Sequence, residues 1–568
     1  MPGYEYSPLP TGSNSIRVLL LLPSTDDTAS INCQLINYSL PTTGNGHLPY
    51  EALSYVWGSE STPRCIFLDG TTLSITDNLY AALLHLRDHQ LPRMLWVDAV
   101  CINQQDEQEK GHQIQLMPTI YSRASHVIVW LGEAADGSDR ALEDIRLAAE
   151  DESSRYEPAR PRLRDCTAIL TLLQRPWFRR IWVLQEISAA RSILVMCGHF
   201  KINGIAFASG LNELNLTHTN YASSGLENTI RPITYLMRGA ISRPDYVTRP
   251  HGMLSLGELI DMYHTREATK KHDKVYALLG MSADRSNKAD LLPNYQLPWD
   301  TLLQRVIMSI LPEIHSVETW PDREIAVLQG RGYILGRIDA VHRDSFRYDR
   351  QRLKISFKES FESKIYMVTW GTEWTLQATA RSIKEGDLVC LFSGAWKPTI
   401  VTLCEDYFAV KMINAVHQEK GGLGRYSDTM LEELQQKLLQ SEKTSFREML
   451  LVWNWEVPRA NLGEEGQSQV SKSFRDAVSY LEIDFERKRQ HDVELIIKDI
   501  TMIGRDARGL WKRIMELLLP DTGSDLPISA EMIERVVTKW SQVKLDVGDQ
   551  WTSNFVTHRS RHTDYHQQ

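Results

Sequence analysis

Glu186 is the residue whose neighbours most suggest chemistry. It lies in Arg175-Pro-Trp-Phe-Arg-Arg-Ile-Trp-Val-Leu-Gln-Glu-Ile187, which packs three aromatics, three arginines and one carboxylate into thirteen residues. Pro176 suits a first helical turn, because its φ is already helical and its missing N–H would find no partner there. A helix from Pro176 to about Ala190 puts Arg179, Trp182 and Glu186 on one stripe, since positions three, four and seven apart share a face. An indole one turn before a carboxylate perturbs the acid's pKa or holds a flat ligand against it. The same spacing fits a buried amphipathic helix whose glutamate pairs with a neighbouring arginine. Spacing alone leaves both readings open.

Further candidate groups stand where strands are expected to end. Tyr50-Glu-Ala-Leu-Ser-Tyr-Val-Trp-Gly58 is β-prone and closes on glycine. Leu95-Trp-Val-Asp-Ala-Val-Cys-Ile102 is a nearly continuous apolar run, as in a strand buried on both faces. Asp98 is unfavourable inside such a strand unless it is paired or lies near the strand end. Asn103 and Gln104 then offer polar groups to a ligand or simply form a loop. His126–Gly132 and Ser192–Gly198 read as two more strands. Cys101 with a histidine is a conceivable nucleophile pair, but its apolar neighbours favour a core cysteine.

Helices are expected between these strands. Leu79, Ala82, Leu83 and Leu86 have helical spacing, with Thr76, Asp77 or Asn78 available as cap. Ile114, Met117, Tyr121 and Ala124 mark the next helix, in which Pro118 predicts a kink or a late start near Thr119. A charged insert from Glu133 to about Arg162 reads as a helix plus a loop. Cys166, Ile169, Leu170 and Leu173 lead into the Glu186 stretch. Asp69-Gly70 between two short β-prone runs predicts a hairpin. The alternation of strand and helix from Tyr50 to Gly198 predicts a parallel α/β sheet with helices on both faces. Ligands of such sheets sit beyond the carboxyl ends of the strands, where Gly58, Asn103, Gln104 and Gly132 fall.

The 568 residues are too many for one core and suggest three or four domains. With 42% hydrophobic and 24% charged residues the composition is that of a globular protein. A net charge of −9 gives no electrostatic case for nucleic-acid or anionic-membrane binding. Seven cysteines without a CxxC pair fit a reducing, cytoplasmic setting and lack the strong zinc patterns, so no metal is expected. No membrane span or signal peptide is expected. The P-loop, G-x-S-x-G and H-E-x-x-H patterns are absent. By texture the chain divides into an α/β domain at 1–205 with its core at 50–190, a mainly helical region at 206–320 and a small β-barrel or sandwich at 321–420. A helical region at 421–555 and a frayed tail at 556–568 complete it.

Three segments resemble the three blocks of the HET (heterokaryon incompatibility) domain of filamentous fungi. They are Tyr50–Gly58, Leu95–Gln104 with its continuation to Trp130-Leu-Gly132, and Arg175–Glu186. Asp273-Lys-Val-Tyr-Ala-Leu-Leu-Gly280 and Gly386-Asp-Leu-Val-Cys390 resemble segments found downstream in long members. Pro118 departs from the usual helix of the second block. The resemblance implies a role in non-self recognition, through other proteins of an incompatibility system or self-association, that ends in growth arrest or cell death. The block order is also similar to that of TIR domains, with Ser54-Tyr55 and Trp182…Glu186 in the places of their strand-end pair and their tryptophan and catalytic glutamate. That similarity implies a TIR- or flavodoxin-like fold and cleavage of NAD as a substrate, with no resident cofactor and Glu186 as the catalytic residue. Tyr55, Trp57 or Trp182 would stack the rings, Asn103 or Gln104 would meet ribose or amide groups, and Arg179 or Arg180 the pyrophosphate. Ser54, Gly58 and Asp98 would complete the binding edge. A non-enzymatic interaction module in the same signalling role is the alternative.

Overall fold

The N-terminal half is built on a nine-stranded sheet. Its strands are β1 (Ser15–Leu21), β2 (Asn32–Ser39), β3 (Glu51–Ser54), β4 (Arg64–Leu68), β5 (Thr71–Ile75), β6 (Arg93–Trp96), β7 (Val127–Trp130), β8 (Ile193–Cys197) and β9 (Phe200–Asn203). They lie in the order β5-β4-β2-β1-β6-β3-β7-β8-β9. This computed structural model describes residues 4–10, 14–40, 49–59, 61–153, 166–214, 226–239, 254–283, 291–343, 350–358, 371–377, 383–395, 397–404, 407–413, 415 and 447–456. All belong to the first of two units, Met1–Val457, and the second, Pro458–Gln568, lies outside the described residues.

The expected parallel sheet is the centre of a wider mixed one. β3 pairs in parallel with β6 and β7, and β7 with β8. β1 is antiparallel to both β2 and β6, and β9 is antiparallel to β8. A short apolar run carries burial but no direction of pairing, so these flanking strands could not be oriented from sequence. The chain leaves β3 for β6 on one side, then returns past β3 to β7 and on to β8. The carboxyl ends of β3 and β7 therefore flank the point where the connections diverge, which is where open α/β sheets leave a crevice.

Local rules explain many of the elements. Asp69 and Gly70 take φ of 50° and 80° between β4 and β5, the positive pair that a two-residue hairpin turn needs. Helix α1 (Asp77–Leu86) is capped by Thr76 and buries Leu79, Ala82, Leu83 and Leu86. The run from Leu95 to Ile102 is not one strand. β6 ends at Trp96, and Asp98 opens a single helical turn, α2 (Asp98–Cys101), which moves the acid to the strand end. Helix α3 (Glu107–Arg123) runs through Pro118, with no late start near Thr119. Asp106 accepts hydrogen bonds from the Gln108 and Glu109 amides, and Ile114, Met117, Ile120 and Tyr121 are buried, which together offset the one bond that proline removes.

The Glu186 stretch also departs from expectation. After α4 (Ser138–Ser153) and α5 (Thr167–Leu173), residues Pro176–Arg179 form a 3₁₀ turn. Arg180 is extended, with φ −66° and ψ 139°, and α6 (Trp182–Ala189) starts afresh. The break shifts the helical phase, so Arg179 leaves the stripe that Trp182 and Glu186, four residues apart in α6, still share.

Beyond β9 come α7 (Gly204–Glu213), α8 (Leu226–Gly239), α9 (Leu256–Tyr263), α10 (Asp273–Leu279) and α11 (Trp299–Ile310). Then follow β10 (Ser316–Thr319), β11 (Ile325–Arg343), β12 (Arg350–Phe357), β13 (Glu373–Gln377), β14 (Leu388–Phe392), β15 (Thr399–Leu403), β16 (Phe408–Met412) and β17 (Arg447–Asn454). The path β11-β14-β15-β16-β17 returns onto β11 and is antiparallel except at β16–β17. β17 corrects the expectation of helix from residue 421 onward. Its partner β11 lies more than a hundred residues earlier, and no local periodicity reports such a ladder. The remainder of 421–555, and the tail, fall outside the described residues. One apolar cluster runs without interruption from Ile16 through Trp299 to Trp455, and a smaller one gathers Ile338 of β11, Leu353 of β12 and Trp374 of β13. Among the described residues no helix is long and apolar enough to cross a membrane.

Candidate functional site

Glu186 sits one turn into α6 and meets Ser54, the last residue of β3. The Ser54 hydroxyl donates to the Glu186 carboxylate and accepts from Trp177 Nε1 at 2.9 Å. All three are buried, and Glu186 is only 3% exposed. Burial pushes the Glu186 carboxyl up to about 7, against the lowering effects of the Arg180 guanidinium and the Ser54 hydroxyl. A glutamate in this state exchanges its proton near neutrality.

Asp98 lies near enough for its charge to raise the Glu186 carboxyl further. Trp57 Nε1 donates to its carboxylate at 2.9 Å and the Ala99 amide at 2.8 Å. Burial of the carboxyl raises its pKa despite Arg180 and these donors. Arg180 donates to the Tyr55 carbonyl and lowers the pKa of both acids, although among the described residues it forms a close ion pair with neither. The buried Tyr55 hydroxyl faces Asp98 without a hydrogen bond of good geometry. Its proton is held far above the usual range by burial and by that carboxylate. Two acids of raised proton affinity are thus arranged around one guanidinium.

The rim follows from backbone geometry. Gly58 and Gly132, after β3 and β7, have φ of 80° and 105°, which a side chain would strain. Asn78 on α1 ties the two ends together, donating to the Val56 carbonyl at 2.6 Å and accepting from Trp130 Nε1 at 3.0 Å. Arg175 donates to the Leu131 carbonyl at 2.8 Å.

The fold brings Ser54, Tyr55, Trp57, Asp98 and Glu186 together at the edge where Gly58 lies, and sends other candidates elsewhere. Asn103 turns its side chain back to the Gln105 amide at 3.1 Å, forming a turn. Gln104 donates to the Asp98 carbonyl at 2.9 Å and braces that loop. Arg179 is exposed and pairs with Glu267 at 3.3 Å. Trp182 bonds to Asp273 at the start of α10. Trp57 acts through its indole N–H. Trp177 and Asn78 were hidden by the expected continuous helix and by reading Asn78 as a cap, while Arg180 had been named only as an alternative to Arg179. Cys101 is a buried core residue whose thiol accepts from the Val97 amide at 3.4 Å, and burial raises its pKa to about 12, which removes it as a nucleophile.

The heterokaryon incompatibility protein (HET) family model matches residues 50–186, the span from β3 to the carboxylate of α6. Residues 50–186 form a HET domain. The chain is also similar to heterokaryon incompatibility protein 6, OR allele, of Neurospora crassa, 29% identical over 350 residues and covering 51% of each chain. It therefore spans about half the length of that relative. No solved structure matches the chain. Every residue of the inner cluster lies within the HET domain, from Ser54 to Glu186, while the helices behind α6 come from beyond it.

Proposed function

We propose that this chain acts in fungal non-self recognition and that its HET domain drives growth arrest or cell death by cleaving NAD. The observation that carries the chemistry is the pair of protonation-prone acids, Asp98 and Glu186, around Arg180 at the diverging point of the sheet. In this reading Arg180 meets the pyrophosphate, Trp57 covers the rim and Asp98 accepts from ribose hydroxyls. The bond between nicotinamide and ribose breaks with its electron pair going to the already cationic ring nitrogen, so nicotinamide leaves neutral. Ionised Glu186 stabilises the ribosyl oxocarbenium ion, and water captures it to give ADP-ribose and a proton. The 3% exposure of Glu186 requires the edge to open before substrate reaches it. Assembly with other proteins of the incompatibility system, or with further copies, supplies that trigger in the cytoplasm.

That same burial favours a second reading. Glu186 then pins β3 to α6 through Ser54, and the domain works as an interaction module without turnover. The readings separate in a nicotinamide-release assay on the full chain under forced oligomerisation. Catalysis predicts turnover that rises with pH through about 7 as Glu186 ionises, and its loss in Glu186→Gln. No turnover by folded, assembled wild type sinks the enzyme reading, and so does equal turnover by the variant.

A further inference from the structure

The turn that aims Arg180 is held by residues outside the HET domain. The Glu267 amide donates to the Arg179 carbonyl at 2.8 Å, and the Ile181 amide donates to the Glu267 carbonyl at 3.0 Å. Arg266 Nη1 donates to the Phe178 carbonyl. These three bonds clamp the chain on both sides of Arg180, the one extended residue between the 3₁₀ turn and α6. The clamp follows directly from α9, whose last residue is Tyr263.

We propose that Arg266 is a positioning residue which, by holding the Phe178 carbonyl, fixes the turn so that the Arg180 guanidinium stands beside Asp98 and Glu186. The inference rests on the cluster of Asp98, Arg180 and Glu186 being the working site. Arg266 is only 4% exposed, and burial lowers its pKa to about 10. A buried guanidinium is unfavourable, so a purely space-filling role would be served better by an apolar side chain. What the guanidinium adds is a donor that reaches a carbonyl at the end of a 3₁₀ turn. Arg180 is not otherwise constrained by a regular helix, since its own amide makes only a long 3.4 Å bond to the Trp177 carbonyl.

The test follows the titration of Glu186, which needs no turnover. Glu186 is faced by Ser54 of β3, Asp98 of α2, Tyr121 of α3 and Arg180, and of these Arg180 lowers its pKa most. Infrared difference spectra of the full chain, each background against its Glu186→Gln counterpart, report the carboxyl midpoint. In Arg266→Met the midpoint is expected to rise by about one pH unit as the opposite charge withdraws. Arg180→Met is expected to produce the same rise, and the double variant no more than either single. Arg266→Lys, which keeps a donor, is expected to recover part of the shift. A folded Arg266→Met with an unmoved midpoint overturns the proposal, as does an additive shift in the double variant. If Arg266→Met does not fold, Glu267→Pro removes one clamp bond at an exposed residue and must raise the midpoint; no change there overturns the proposal as well. Absence of NAD turnover in wild type would leave these titrations intact, so the two readings fail separately.

Discussion

Glu186 binds its proton more tightly in the folded chain than in the unfolded one. Its pKa is about 7 when folded, against an ordinary value of 4.5. The resulting stabilisation is complete below the unfolded value and is lost as the pH rises through the folded one. Wild type is therefore expected to lose about 3 kcal/mol relative to Glu186→Gln between about pH 5 and pH 8. Thermal melts of both proteins across that range check it, and a constant difference would contradict it. Ser54→Ala removes a donor that favours the ionised carboxylate, so it should raise the Glu186 midpoint further. Infrared titration reads that directly. At this scale the sequence singled out Ser54, Tyr55, Trp57, Asp98 and Glu186, which the fold brings to one sheet edge. It left Arg179 and Arg180 as alternatives, and only the extended residue between the 3₁₀ turn and α6 decides that Arg180 turns inward.

The element that sets the site is α6, which packs against α3, α8 and α10. Gly280 closes α10 where the chain meets Pro118 of α3 and Gln185 of α6. A Cβ there would lie 2.5 Å from Pro118 Cγ and 2.6 Å from Gln185 Oε1. Gly280→Ala is expected to destabilise the chain by roughly 1–3 kcal/mol through overpacking. Denaturant unfolding measures it, and a neutral result would mean that α3 and α6 can separate without penalty. The contact also accounts for Pro118, whose ring fills the space against a glycine. Helix positions were legible from the spacing of Leu79 to Leu86 and from the glycine that closes α10. The break at Arg180 was not, since the residues that hold it lie more than eighty positions downstream.

On the scale of the whole molecule, the apolar cluster does not stop at the end of the HET domain. Buried Asp261 on α9 accepts from Trp453 Nε1 at 2.7 Å and from the Ile413 amide. It thereby joins α9 to β17 and to the residue that follows β16. Asp261→Ala strands two buried donors and is expected to lower stability by roughly 1–3 kcal/mol. Removing everything after residue 205 exposes the faces of α6 that α8 and α10 cover. A 1–205 fragment is therefore expected to aggregate or bind a hydrophobic dye, whereas 1–457 melts cooperatively. A cooperatively folded 1–205 would show that the downstream helices only decorate the domain.

The sequence by itself determined the alternating order of strand and helix from Tyr50 to Gly198, the parallel pairing of the central four strands, and the three blocks that resemble a HET domain. Those properties follow from burial periodicity, turn chemistry and short blocks of side chains, which are local. Tertiary structure decided the mixed outer sheet, the closure of the barrel by β17, the clamp from Arg266 and the inward turn of Arg180. Each of these depends on hydrogen bonds between residues far apart in the chain, and such bonds leave no period in the sequence. Glu186 shows the division most clearly, for its identity was written locally while its burial, and hence its proton affinity, came from everything packed around it.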